Sequence, residues 1–506
     1  MIESRNPATL EPLGTLPRTA PQDAARVVAE VAAVTPLWAQ LRVADRARYL
    51  ERAAQGVIDD FDELCDLLVA ESGRPRVEIA AFELLAAIDT LQWLATNARR
   101  LLSARAITMP RTIHPLKRAS AGHAPLGVVA VLCSGDGPFA TPVAHVAAAL
   151  LGGNGAVLKP APRAGQAAEG IARALTRAGL PEGLVRVIHG GGELSAALAS
   201  SPQVAHVLFS GGQQAGATVA AACAARGCGA TLELASGEAT IVLADADIEA
   251  AAGGALWAAC AGAGQLPGKL ARAYVERSVH DAFLDALVAG AQQLVIGDPA
   301  TAGTQLGPLA TAARRSRMED AIAAATAHGA TLHCGEPLAL SGLPGAFHSA
   351  AVLSGSSEQL APLRSAVRGP FVTVTAVANP VQAVALEGAA PHARGASVWS
   401  ADRRHAARIA RELRAGVVWC NDHVVGPVLP RDAADAVASC VSGKQITWDI
   451  SGARAPWRYP YDTTSASALR ALAALHGTRP GERERALRSG AAPLARVAGR
   501  ALRGRR

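Results

Sequence analysis

The sequence predicts an α/β protein built on a largely parallel sheet. Half of its 506 residues are hydrophobic, short apolar strands alternate with alanine-rich stretches of helical spacing, and glycine pairs mark strand-to-helix turns. The length suffices for two or three packed domains with substantial cores. Residues 20–70 and 76–108 carry apolar side chains at helical spacing, as in Ala24, Ala25, Val28, Val31 and Ala32, which predicts core-facing stripes. Residues 127–132 read as an apolar strand leading to Asp136, and residues 156–158 as a second one ending in Lys159.

A further strand over residues 205–209 runs into Ser210, Gly211 and Gly212, then Gly216 on an alanine-rich helix. Such a strand, turn and helix leave free N–H groups at a helix start, where a pyrophosphate can approach closely because glycine has no side chain. The plainer alternative is a tight turn in an α/β layer, in a chain with 49 glycines. Thr231, Leu232, Glu233 and Leu234 then place a carboxylate near a strand end, either a general base or a satisfied polar residue kept by packing.

Composition narrows the classes. Eight cysteines show no Cys-x-x-Cys pair and thirteen histidines no His-Glu-x-x-His arrangement, so no metal is predicted. Residues 1–18 lack a signal-peptide core and no uncharged apolar run of spanning length stands out, which predicts a cytoplasmic protein with no membrane partner. The net charge of +7 is a property of the end of the chain. Residues 451–506 hold twelve Arg against Asp462, Glu482 and Glu484, a local +9. A short helix is expected over residues 466–476 and a mobile Arg-rich end from 479 to 506. With 45 Arg and four Lys overall, Arg-rich coding explains that end better than nucleic-acid binding does, and no helix-turn-helix or zinc-finger pattern supports such binding.

The most informative segment is the loop Gly264, Gln265, Leu266, Pro267, Gly268, Lys269, Leu270, Ala271, Arg272. With Glu233 lying 34 positions before Pro267 and residues 127–136 earlier still, it resembles the aldehyde dehydrogenase superfamily. The resemblance runs from about residue 5 to 422 through Asn6-Pro7, Glu71-Ser72-Gly73-Arg74-Pro75, Gly297-Asp298-Pro299, Gly307-Pro308-Leu309, residues 396–399 and residues 415–421. In that family the loop reads Gly-Gln-x-Cys-x-x-x-x-Arg, and its Cys attacks the aldehyde. The Glu matching Glu233 activates water, and an Asn at the place of Asp136 joins the backbone N–H of the Cys in binding the oxyanion. Here Gln265, Arg272 and Glu233 match, Pro267 holds the nucleophile position and Asp136 the oxyanion position. The lysine matching Lys159 contacts the cofactor's adenosine ribose in the family, whereas the acidic residue expected three places on is Pro162. The Glu-x-Phe-Gly-Pro element that would hold the nicotinamide ribose reads Ala366, Val367, Arg368, Gly369, Pro370.

The resemblance implies a Rossmann-like dinucleotide-binding domain over residues 1–255, a catalytic-type α/β domain over 256–427, oligomerisation strands near 105–125 with a segment at 428–450, and a basic tail over 451–506. It implies NAD or NADP as cofactor, held by Lys159, Gly211, Gly212 and Gly216, and homo-oligomers or mixed oligomers with an active relative. Proline supplies neither a nucleophilic atom nor a backbone N–H, and an ionised Asp136 repels an oxyanion. The leading expectation is therefore a catalytically silent homologue with a regulatory, scaffold or cofactor-sensing role. The alternative is an active NAD(P)-dependent oxidoreductase that turns an aldehyde into a carboxylic acid through a displaced thiol, Cys260 or Cys133. A third reading, new chemistry from Asp136 and Glu233 as paired carboxylates, carries less weight.

Overall fold

The computed structural model describes all residues except 111–116, 364–366, 390–393, 427–429, 451–458, 460 and 504–506. The chain divides into two compact units, Met1–Leu101 with Pro125–Ser442, and Leu102–Ala124 with Gly443–Arg506.

In the first unit, five parallel strands form a sheet in the order Val185–Val187, Gly155–Lys159, Val128–Cys133, Val204–Gly211, Gly229–Leu234. The strand that comes first in the chain sits in the middle, and the connections leave it in both directions. That reversal opens a crevice outside the strand ends at Cys133 and Ser210, the usual ligand position in an open doubly wound sheet. Val128–Cys133 is buried along its whole length because helices cover both faces, hence its unbroken apolar run. Helix Ala24–Ala39 buries Ala24, Val27, Val28 and Val31 against this sheet; of the expected stripe Ala32 is half-buried and Ala25 is exposed, because Val27 takes the core-facing position of that turn.

A second sheet of seven strands runs in the order Thr331–Cys334, Ala351–Ser354, Phe371–Val377, Leu270–Glu276, Glu238–Val242, Gly395–Trp399, Val417–Cys420. All neighbours are parallel except the first pair. Glu238–Val242 already belongs to it, so the change of sheet falls between Leu234 and Glu238, ahead of the boundary expected at residue 255. The physical reason is pairing: Glu238–Val242 bonds to Leu270–Glu276 and Gly395–Trp399, not to Gly229–Leu234.

The Glu71-Ser72-Gly73-Arg74-Pro75 motif ties these layers together. The Glu71 carboxylate accepts from the backbone N–H groups of Gln166 and Ala167, closing the start of helix Gly165–Arg177. Arg74 pairs with Glu83, whose other oxygen accepts from Phe139 and Ala140 N–H at the start of helix Ala140–Gly152. The helical run Arg76–Leu102 is long and apolar enough to cross a membrane by composition, but 56% of its apolar window is buried inside the fold.

The second unit holds a three-stranded sheet in the order Val441–Asp449, Lys117–Pro125, Arg105–Ile107. Of the segment expected at 428–450, the strand occupies only the end; Pro430–Ser439 is helical, as its Ala-rich sequence allows. Residues 111–116 of the expected 105–125 strands, 428–429 and 451–458 lie outside the described residues. The tail is helical beyond the short helix expected over residues 466–476. Helix Thr463–Ala474 is followed by a longer helix, Glu482–Arg503. Gly490 lets the two approach so closely that a Cβ there would lie 2.3 Å from that of Ala471.

Candidate functional site

The crevice at the strand ends and the loop from the second sheet meet in one pocket. It is lined by Ser134, Asp136, Ser210, Gly211 and Glu233 from the first sheet, and by Pro267, Gly268, Arg368 and Arg394 from the second. The fold thus brings together Asp136, Gly211, Glu233 and Pro267, four of the seven residues singled out from sequence.

Helix Ile248–Gly264 loses helical geometry at Ala261, Gly262 and Ala263, and the chain turns into the loop. Gly264, at φ +63°, lies against the backbone of Gly369, whose N–H donates to Gly264 O at 3.1 Å. A Cβ at 264 would meet that Gly369 oxygen at 1.8 Å, so only glycine fits. Gln265 fastens the loop: its Nε2 donates to Gly262 O, and its Oε1 accepts from Ala310 N–H and Arg314 Nη1. Pro267 O accepts from Gly426 N–H, and His423 supports the loop from beneath, with Nε2 3.3 Å from Gly268 O and Nδ1 2.9 Å from the Ser397 hydroxyl. Burial pushes His423 down to about 4, so the ring is neutral and its Nε2–H donates.

Asp136 is not the isolated repulsive charge expected from sequence. Its Oδ1 accepts from Arg163 Nη2 and, at 2.7 Å, from Arg314 Nη1. Burial opposes ionisation, but the guanidinium charges of Arg163, Arg314 and Arg368 outweigh it and hold the carboxyl well below its ordinary range. Gly135 makes room for Arg163, whose guanidinium carbon would lie 2.8 Å from a Cβ at 135.

Glu233 ends its strand opposite Ser210 and lies 3.2 Å from His145 Nε2. His145, buried on helix Ala140–Gly152, turns its Nδ1 toward Cys133 Sγ at 3.9 Å. Burial disfavours charge on both the carboxyl and the ring, yet their mutual attraction prevails, leaving Glu233 ionised and His145 protonated. The result is a row of thiol, imidazolium and carboxylate across the first sheet's strand ends. Cys260 is a different case: buried where the helix stops, its thiol is pushed up to about 12 and holds almost no thiolate at neutral pH.

The residues matched to a dinucleotide fit one half of it. Lys159 is buried at the end of its strand, near Cys133, with its pKa lowered by burial. Gly212 precedes helix Gln213–Ala225 and lines the adjoining cavity, and nothing lies within 4 Å of a Cβ placed there. Gly216 serves packing, because a Cβ there would strike Leu234 at 2.3 Å. At the other half the described wall is formed by Arg314, Arg317 and Arg368, and its carboxylate, Asp136, is already paired with Arg163 and Arg314. His145, Arg163, Arg314 and His423 were missed in sequence. The one available signal was a lone histidine in the apolar run 140–152.

Comparison with known proteins agrees with this architecture. Residues 1–430 match the family model described as the aldehyde dehydrogenase family. The chain is 31% identical over 434 residues to a betaine aldehyde dehydrogenase of Sinorhizobium fredii, covering 85% of this chain and 87% of that protein. It is 30% identical over 426 residues to a glutarate-semialdehyde dehydrogenase of Pseudomonas aeruginosa, covering 84% and 86%. Among solved structures, an NAD-dependent benzaldehyde dehydrogenase from Corynebacterium glutamicum superposes with TM-score 0.80 at 25% identity, over 88% of this chain and 94% of that one. The chain belongs to the aldehyde dehydrogenase family.

Proposed function

We propose that this member of an oxidoreductase family is silent in the family's thiol-dependent aldehyde oxidation and retains the scaffold for a regulatory, scaffolding or cofactor-sensing role. The observation that carries the reading is Pro267 in the pocket beside Glu233. At the position matched to the nucleophile there is neither a sulfur nor a backbone N–H, and Asp136 is an anion locked between arginines rather than an amide. Glu233, tied to His145, has no acyl-enzyme to hydrolyse. NAD or NADP contacts at Lys159 and the turn Gly211-Gly212 belong to the same proposal, as do a cytoplasmic location and assembly with itself or with an active relative.

One observation favours a second reading, an NAD(P)-dependent oxidoreductase that converts an aldehyde to a carboxylic acid through a displaced thiol. Cys133 Sγ stands 3.9 Å from Nδ1 of a protonated His145, whose Nε2 lies 3.2 Å from Glu233, so a thiol, a proton carrier and a carboxylate stand in sequence. The relatives' names, which are those of dehydrogenases, weigh on this side. Cys260, by contrast, is too poorly ionised to serve.

The test is NADH and NADPH formation with aliphatic, aromatic and acidic semialdehydes, comparing wild type, Cys133→Ser, and the double variant Asp136→Asn, Pro267→Cys. Wild type at the protein-free rate with a double variant that turns over supports the silent reading. Wild-type activity abolished by Cys133→Ser establishes the second reading and ends the first.

A further inference from the structure

Two thiols meet where helix Gln213–Ala225 ends. The helix closes on Arg226 and on Gly227, whose φ of +70° suits glycine, and the chain then enters strand Gly229–Leu234. Cys228 N–H donates to Cys223 O at 3.0 Å, and Gly227 N–H to Ala224 O at 3.1 Å. This double closure sets the residue two places past the helix cap against the residue three places before it, positions that usually hold apolar side chains in contact. Here both are cysteines, and both are free thiols.

The backbone brings them within bridging reach. An N–H···O bond of 3.0 Å between the two residues leaves their Cα atoms at most about 7 Å apart by bond lengths, beside the roughly 4.4–6.8 Å found in disulfides. Both sulfurs lie against the turn at residues 199–205: Cys223 Sγ is 4.0 Å from Ala199 O, and Cys228 Sγ is 3.5 Å from Val204 O and 3.3 Å from Ala205 O. Cys223 is buried and Cys228 half-buried, so solutes meet Cys228 first. Burial and the adjoining Cys228 thiol, through its charge and a hydrogen bond, push Cys223 up to about 11 against the pull of the Arg226 guanidinium. Arg226 spends Nε on Ala199 O at 2.7 Å and keeps Nη2 buried with no hydrogen-bond partner among the described residues.

We infer that Cys223 and Cys228 are a modification site, a dithiol that a hydroperoxide converts reversibly to a disulfide. The Cys228 sulfur attacks the peroxide O–O bond and becomes a sulfenic acid, releasing water or an alcohol. The Cys223 sulfur then attacks the Cys228 sulfur, the S–O bond breaks, and hydroxide leaves with the Cys223 proton as water. Two thiols are oxidised and one peroxide is reduced. Arg226 supplies the positive charge that favours the Cys223 thiolate in the second step. In a reducing compartment the resting state is the dithiol, and the bridge forms transiently, as redox-sensing disulfides do. The pair lies at the far end of a helix of 13 residues, about 20 Å in length, from the turn at Gly212. It stands whether or not the chain oxidises aldehydes, because it depends only on the way this helix ends.

The experiment treats reduced full-length protein with a small excess of hydrogen peroxide, blocks the remaining thiols with iodoacetamide, and digests with trypsin for mass spectrometry without reductant. Cleavage after Arg226 parts the two cysteines into peptides 187–226 and 227–269, so the disulfide shows as a cross-link between them. That cross-link is expected, with loss of two of the eight thiols and full recovery on adding dithiothreitol. Cys228→Ser should abolish it, which separates Cys228 from Cys260 on the same peptide, and an unchanged melting temperature verifies that the variant folds. Phenylarsine oxide, which bridges adjacent thiols, should bind the wild type at this pair and prevent the cross-link, a measurement that needs no variant. The inference is overturned by oxidation that stops at single thiols such as the exposed Cys420, by a cross-link that survives Cys228→Ser, or by phenylarsine oxide leaving the pair free.

Discussion

At the scale of single residues, the pair His145 and Glu233 makes stability depend on pH in a defined window. Glu233 is held below its ordinary value of 4.5, so its contribution is present above that pH and fades as pH falls through the lowered value. His145 is held above its ordinary 6.5, so its contribution is full below that pH and fades as pH rises through the raised value. The pair therefore stabilises most between pH 4.5 and 6.5. His145→Gln should cost roughly 2–4 kcal/mol at pH 6, because it strands a largely buried carboxylate. It should also flatten the fall in melting temperature between neutral and alkaline pH. Melting curves from pH 5 to 10 check both, and parallel curves for wild type and variant would refute the pairing. This pair also marks what a sequence can disclose. Glu233 and Pro267 were legible because each sits in a short local pattern. His145 was not, since its partner lies 88 positions away and only the parallel pairing of strands brings them together. The same holds for Arg314, which reaches Asp136 across 178 positions and turned an expected repulsion into a locked ion pair.

At the scale of elements, two of the four glycines in helix Ile248–Gly264 have opposite duties. Gly264 has a positive φ and touches the Gly369 backbone, whereas Gly253 lies in regular helix with nothing within 4 Å of a Cβ built on it. Gly264→Ala should cost about 3 kcal/mol or more, since backbone strain adds to a clash that neither segment can relieve. Gly253→Ala should stabilise by about 0.5–1 kcal/mol through helix propensity alone. Denaturant unfolding of both variants checks the contrast; the reading of the loop fails if Gly264→Ala is as benign as Gly253→Ala. Most elements were legible from their apolar periods, and the strands around residues 127–132, 156–159 and 205–209 fall where the pattern puts them. The change of sheet was less legible, because Glu238–Val242 looks the same from sequence whichever sheet it joins. Hydrogen-bonding partners decide that, and they lie in later parts of the chain.

At the scale of the whole molecule, the open question is what covers the strand Val441–Asp449. Among the described residues it is the outer strand of its three-stranded sheet, paired on one side by Lys117–Pro125, and it leaves Ile446 and Trp448 about half exposed. An exposed edge with large apolar side chains is a template for another chain, and proteins usually cover, charge or shorten such edges. Here the sequence puts only Lys444 and Asp449 on the strand, too little charge to blunt it. The proposal of self-assembly, or of assembly with an active relative, follows from that edge. Closed symmetric oligomers are the common outcome when one patch serves two copies. Full-length protein should then run as a dimer or larger species in size-exclusion chromatography with light scattering. The double variant Ile446→Lys, Trp448→Glu should shift it to the monomer with its circular dichroism unchanged. A monomeric wild type that becomes oligomeric only when mixed with an active family member would select the mixed assembly. A wild type that stays monomeric under both conditions would remove assembly from the proposed role and leave the pocket at Pro267 and the turn Gly211-Gly212 to carry it.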